Sequence, residues 1–148
     1  MTDRTDRNLD ATIAHTTADL ARTDTKAGLL LTLDGLLVAA LSLSGTDMHG
    51  LSLTLAVVGA IALVGSVILA LLVIRPRLNG GQINDRTSYG YFAEADPAAI
   101  AEALAADRRP AHLAALSTIA LQKMRRLRLA GDITLVAVVA IAAAILTR

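Results

Sequence analysis

The 148-residue sequence has no cysteine and no tryptophan. Without thiols there is no disulfide, no thiolate nucleophile and no sulfur-ligated metal site. Its three histidines, His15, His49 and His112, lie far apart, with none of the paired spacings that bind zinc. No Gly-rich phosphate loop, GxSxG elbow or HExxH helix is present. The sequence therefore offers no catalytic residue, no metal set and no cofactor motif, and the chain is expected not to be an enzyme. The net charge is only +1, so no global basic excess points to nucleic acid. Proline occurs three times, at Pro76, Pro97 and Pro110, and none precedes residue 76. Two tyrosines and one phenylalanine are the whole aromatic complement.

What the chain does have is apolar length. It is 54% hydrophobic with a mean hydropathy of +0.55, which places it among membrane proteins. Leu51–Ile74 reads LSLTLAVVGAIALVGSVILALLVI, with no charge and no proline. At ~1.5 Å per residue it covers roughly 36 Å, enough to cross a hydrocarbon core of ~30 Å with some tilt. Residues 27–44 form a second apolar run of only ~27 Å that carries Asp34 inside. A central Asp costs ~2.5–3.5 kcal/mol on the insertion scale, nearly cancelling what the leucines return, so this span needs a partner helix. A secretory signal is the rival reading, but the 26-residue lead-in is as acidic as it is basic. Residues 133–147 are the third run, short enough that Leu129 to Asp132 must approach the membrane edge.

The polar parts organise around these runs. Leu9, Ile13, Thr16 and Leu20 recur at helical spacing in residues 1–26, with Thr5 or Asp6 as the candidate cap. Since no breaker intervenes, one helix is expected to run from this segment into the first span. Gly45 to Gly50 is a short turn joining two antiparallel spans. In residues 75–132, Arg75-Pro76-Arg77 ends the second span, Asn79-Gly80-Gly81 is a turn, and Asp96-Pro97 caps a short helix over 97–106. Arg109-Pro110 opens a last helix of about 38 residues by the same spacing rules. The expected fold is all-α, one membrane domain over 1–148. Three transmembrane helices (27–44, 51–74 and 133–147) would carry a small cytosolic helical head. The head would draw on the N-terminal helix, helix 97–106 and the cytosolic half of the last helix.

Lys and Arg are distributed unevenly. Four precede residue 27, the turn has none, and nine lie between 75 and 132. The positive-inside rule puts the N-terminus and the 75–132 segment in the cytoplasm, and the turn and C-terminus outside.

Several residues admit two readings. Lys123, Arg125, Arg126 and Arg128 are either an orientation signal on anionic headgroups or, with Arg75 or Arg77, a phosphate clamp. Tyr89, Tyr91 and Phe92 either anchor their segment or present a face on which a base stacks. Asp34 and Asp132 are acids in or at the membrane, functional candidates by default. Asp34 would be held without charge or bonded to Ser66 or Thr134, and Asp132 would pair with Lys26. A structural bond between helices and a proton or ion path both fit. Ala62, Ser66 and Ala70 at four-residue spacing, plus Gly59 and Gly65, form a small-residue face for close helix packing, or reflect an alanine-rich composition.

Taken in order, several short motifs resemble the transmembrane effector family of bacterial Pycsar antiphage systems. They are Asp24-x-Lys26-Ala27-x-Leu29-Leu30, Gly35-Leu36-Leu37, Arg75-Pro76-Arg77-Leu78, Tyr91-Phe92 and Lys123-x-x-x-Leu127-Arg128. The acidic stretch Tyr91-Phe92-Ala93-Glu94-Ala95-Asp96 departs from that pattern in its acidic residues. The resemblance implies an effector that responds to cyclic CMP or cyclic UMP made by a partner pyrimidine cyclase. It then impairs the cell membrane, and the infected cell dies before phage are released. The family resemblance carries over no contact list; from their charge, Lys26, Arg75, Arg77, Lys123 or Arg126 would face the cyclic phosphate, with Tyr91 or Phe92 near the base. Three spans are too few for a pore alone, so a homo-oligomer in the cell membrane is expected. The alternatives are a passive membrane anchor or assembly subunit with no ligand of its own, and a transporter using Asp34. No internal inverted repeat supports the transporter.

Overall fold

The computed structural model describes residues 2–43, 48–75 and 89–148. These form five helices and, among the described residues, no strand: α1 (Thr2–Leu43), α2 (Leu51–Ile74), α3 (Tyr89–Glu94), α4 (Pro97–Ala105) and α5 (Arg109–Leu146). Three of them, α1, α2 and α5, are long and apolar enough to cross a membrane. The N-terminal segment and the first span are one uninterrupted 42-residue helix, as the missing proline predicts. The last helix is likewise continuous over 38 residues. The expected caps for α1 do not hold: the helix already begins at Thr2, so Thr5 and Asp6 lie inside it. A second difference is α3, a short six-residue helix where no helix was expected. Pro76, Arg77 and the Asn79-Gly80-Gly81 turn lie outside the described residues.

The chain divides into two compact units. The first comprises Met1–Asp19 and Arg75–Ala120, and the second Leu20–Ile74 and Leu121–Arg148. In the second unit, packing on α2 alternates three- and four-residue steps, and α1 and α5 keep the same seven-residue frame with Ala140 buried in addition. The buried residues of α2 are Ser52, Ala56, Gly59, Leu63, Ser66, Ala70 and Val73. On α5 the corresponding series is Ala130, Thr134, Ala137, Ile141 and Ala144, and on α1 it runs through Thr23, Ala27 and Asp34. A 3.5-residue repeat on all three helices is the pattern of a left-handed coiled coil. The seam is built mostly of Ala, Gly, Ser and Thr, the side chains that let backbones approach closely in lipid. Gly59 shows why size matters, since a Cβ there would lie 2.7 Å from Ile141 Cγ1.

The outside is the reverse. Leu29, Leu36, Leu53, Ile61, Val64, Ile68, Leu135 and Val139 are all exposed. A water-soluble bundle would bury its large apolar side chains and expose small or polar ones. Large apolar residues outward and small ones inward suit a lipid surround. Helix directions follow from the contacts within this unit. Asp24 meets Lys123 and Asp34 meets Thr134, so α1 and α5 run parallel. Arg126 reaches the Leu72 carbonyl and Gly59 abuts Ile141, so α2 runs against α5.

The chain enters α2 through Gly50, whose φ of +56° is the left-handed region that favours glycine. Its carbonyl accepts the Thr54 N–H, and the Ser52 hydroxyl donates to the His49 carbonyl. In the first unit, α4 starts as the sequence predicts. Asp96 is its N-cap, accepting the Ala99 N–H at 2.8 Å, with Pro97 in the first turn.

Candidate functional site

Asp34, Ser66 and Thr134 occupy one layer of the seam, one residue from each helix. Their exposures are 0%, 0% and 3%. The Ser66 hydroxyl donates to Asp34 Oδ2 at 2.8 Å, and the Thr134 hydroxyl donates to Asp34 Oδ1 at 2.9 Å. The two hydroxyl oxygens are themselves 2.6 Å apart. Sequence position alone named both hydroxyls as possible partners of Asp34, and both engage it at once. The 3.5-residue repeat explains why, since each of the three residues falls on its own helix's seam. With lipid outside, a buried carboxylate must find its hydrogen bonds within the bundle. Both of its oxygens do so, and no buried side-chain polar atom is left without a partner among the described residues.

Eleven residues earlier on α5, Lys123 also belongs to the seam frame. Its ammonium meets Asp24 Oδ1 at 2.6 Å, with the lysine side chain 20% exposed. This lysine is thus turned toward α1 rather than lying with its basic neighbours. Arg126 donates to the Leu72 carbonyl at 3.4 Å, near the end of α2. Lys26 and Arg75 are exposed. Asp132 is exposed on α5, and among the described residues it makes no ion pair with Lys26. The two acids expected near the membrane therefore differ: Asp34 faces inward with two hydroxyl donors, and Asp132 faces out.

The first unit holds a different cluster. Arg109, at the start of α5, donates to Asp6 Oδ1 at 2.7 Å, to Asp10 Oδ1 at 3.1 Å and to Asp107 Oδ1 at 2.9 Å. Asp6 and Asp10 are four apart on α1 and so share a face. The Arg109 side-chain hydrogen bond, and then its backbone N–H, hold the Asp107 carboxyl below its ordinary range. The same contact with Asp107, and then that with Asp10, raise the Arg109 guanidinium above its ordinary value. Sequence reasoning missed this clamp. Its one visible sign was the spacing of Asp6 and Asp10, which has no meaning until Arg109 is known to lie opposite.

Beside the clamp is an open depression of about 510 Å³ lined by Phe92, Leu104, Asp107, Arg108, Arg109 and His112. Tyr91 and Phe92 meet edge to face with ring centroids 5.8 Å apart. Three carboxylates gather on Arg109, so this guanidinium is already neutralised as an anion receptor. Tyr91 and Phe92 lie in the first unit and Lys26, Lys123 and Arg126 in the second. Among the described residues, no group of three or more His, Asp or Glu side chains is placed to hold a metal ion.

No curated protein and no solved structure matches the chain. A family match does exist, and it spans both units. The Pycsar effector protein domain, PycTM, matches residues 8–148, nearly the whole sequence. Its three apolar helices, small-residue seam and lipid-facing exterior accord with a multi-pass membrane protein, and the chain belongs to the Pycsar effector family.

Proposed function

We propose that this chain is the membrane-impairing arm of an antiphage response. It answers cyclic CMP or cyclic UMP, made by a partner pyrimidine cyclase on infection, and compromises the cell membrane so that the cell dies before phage emerge. The observation that carries this reading is the family match over residues 8–148. The inverted packing supports it, because helices with large apolar exteriors and a polar interior layer are suited to act within lipid. The N-terminus and the 75–132 segment lie in the cytoplasm on this reading, where the ligand is made, and the C-terminus lies outside. Several copies act together. A ligand shifts the spans only by binding two packings with different affinity, so the resting and active bundles must differ.

The test is permeabilisation of cells expressing the chain, with and without each nucleotide. Collapse of the membrane potential, read with a voltage-sensitive dye, only when cyclic CMP or cyclic UMP is supplied is the expected result. No nucleotide dependence, together with no nucleotide-dependent change in thermal stability, would leave a passive anchor instead. Single substitutions Lys26→Ala, Arg75→Ala, Arg77→Ala, Lys123→Glu and Arg126→Ala test the phosphate contacts. Full activity in all five, with insertion retained, removes them from the ligand site. A tag near Gly90 should be protected in intact cells, and labelling from outside would overturn the orientation.

A further inference from the structure

Hydrogen bonding between spans does not by itself call for an acid at residue 34. Asn, Ser or Thr would tie helices together at lower cost, since an Asp at the centre of a span costs ~2.5–3.5 kcal/mol to insert. Among the described residues Asp34 is the only ionisable side chain that is fully buried. The groups around it are all oxygen: one carboxylate and two hydroxyls, from three helices. Oxygen-only sets suit hard cations, and carboxylates in a pore wall admit cations and repel anions. The next seam residues on α2 and α5 are Ala70 and Ala130 on one side, and Leu63 and Ala137 on the other. In the packing seen here the layer is shut, because its oxygens lie 2.6–2.9 Å from one another and leave no room for an ion.

We propose that the Asp34–Ser66–Thr134 layer is a cation-selecting constriction, held closed by its own hydrogen bonds, and that in an assembly of several copies the seams turn Asp34 toward a shared permeation path when the helices part. The inference rests on the membrane-impairing role above and specifies its chemistry: cations leak, and anions do not. Closure is self-contained, since both carboxylate oxygens are satisfied without water. Opening exposes the carboxylate, which in lipid has no partner and so draws water and cations to itself.

The experiment uses the full chain reconstituted in phosphatidylethanolamine–phosphatidylglycerol vesicles, with cyclic CMP or cyclic UMP added. Potassium flux, chloride flux and release of a large dye are followed together. The expected result is potassium passing at least about tenfold faster than chloride, as a single carboxylate in a narrow path enforces. Asp34→Asn, near-isosteric and still able to hydrogen-bond, should lose that preference, and Asp34→Glu should keep it. A merely structural tie would leave the ion preference untouched in Asp34→Asn, which would overturn the proposal. Should Asp34→Asn fail to fold, the wild-type protein still decides. Equal potassium and chloride flux, or release of the large dye with both ions, overturns the constriction while retaining the membrane-impairing role. Absence of any flux, with nucleotide bound, overturns both.

Discussion

The two units are held together by different physics. The seam of Leu20–Ile74 and Leu121–Arg148 relies on close backbone approach and one sealed polar layer. The unit of Met1–Asp19 and Arg75–Ala120 relies on capping and on carboxylates gathered about Arg109 at a half-exposed surface. In lipid there is no hydrophobic drive between helices, so fit and internal hydrogen bonds carry association. In water, ion pairs are screened and individually weak. The seam should therefore be sensitive to side-chain size and indifferent to salt, and the other unit the opposite.

The strongest challenge to this contrast is Gly59→Leu. A Cβ alone already meets Ile141 Cγ1 at 2.7 Å, so the added isobutyl group must push α2 from α5. Overpacking of this kind costs ~1–3 kcal/mol or more. Loss of the compact form in denaturant titration of detergent-solubilised protein is expected, and an unchanged midpoint would refute the close approach. Next is Ser66→Ala, which removes one donor to Asp34 and should destabilise the bundle by up to ~2 kcal/mol. The same titration reads it, and a shift as large as that of Gly59→Leu would mean that polar bonding outweighs fit. Asp96→Ala removes the cap of α4 and should cost about 1 kcal/mol locally. Faster amide exchange confined to 97–105 would show it.

The smallest effect is that of acid and salt on the Arg109 cluster. Asp107 has a depressed folded value, so its contribution is present above the ordinary carboxylate range. That contribution fades as pH falls through the depressed value, while Arg109 stays charged throughout. Acidification from neutrality to below pH ~4, or salt raised to ~1 M, should loosen α4 and the first turns of α5. Amide exchange at those residues should rise while that at Ala130–Ala144 stays slow. Equal sensitivity in both places would erase the distinction between the units.

Only part of the seam could be read in the sequence, and not its period. Ser66 and Ala70 were visible as small residues four apart, but Ala62, the third member of that stripe, is only partly buried. The buried series alternates three and four, keeping Gly59 but passing through Leu63 in place of Ala62 and leaving Gly65 only partly buried. Four-residue spacing marks a helix face, and only the alternation marks a supercoiled seam. The uninterrupted α1 followed from absent proline, and the cap at Asp96 from the Asp-Pro pair. Asp34's partners were legible because an acid inside a span must bond to something polar, and few candidates exist. The Arg109 clamp was not legible, since it joins residues 103 apart in sequence through half-exposed polar side chains. Lys123 was read with its basic neighbours because composition does not say which residue of a run faces inward.

The parallel course of α1 and α5 within the seam has an electrical consequence. Two helices point one way and only α2 points back, so one helix dipole remains uncancelled. It amounts to roughly half an elementary charge at each end. A membrane voltage acts on that residual dipole with roughly 1 kcal/mol per 100 mV if it spans the full field. With all three helices spanning lipid, the bundle is polar along its axis, and any rearrangement that tilts or withdraws one rod is coupled to the energised state of the cell.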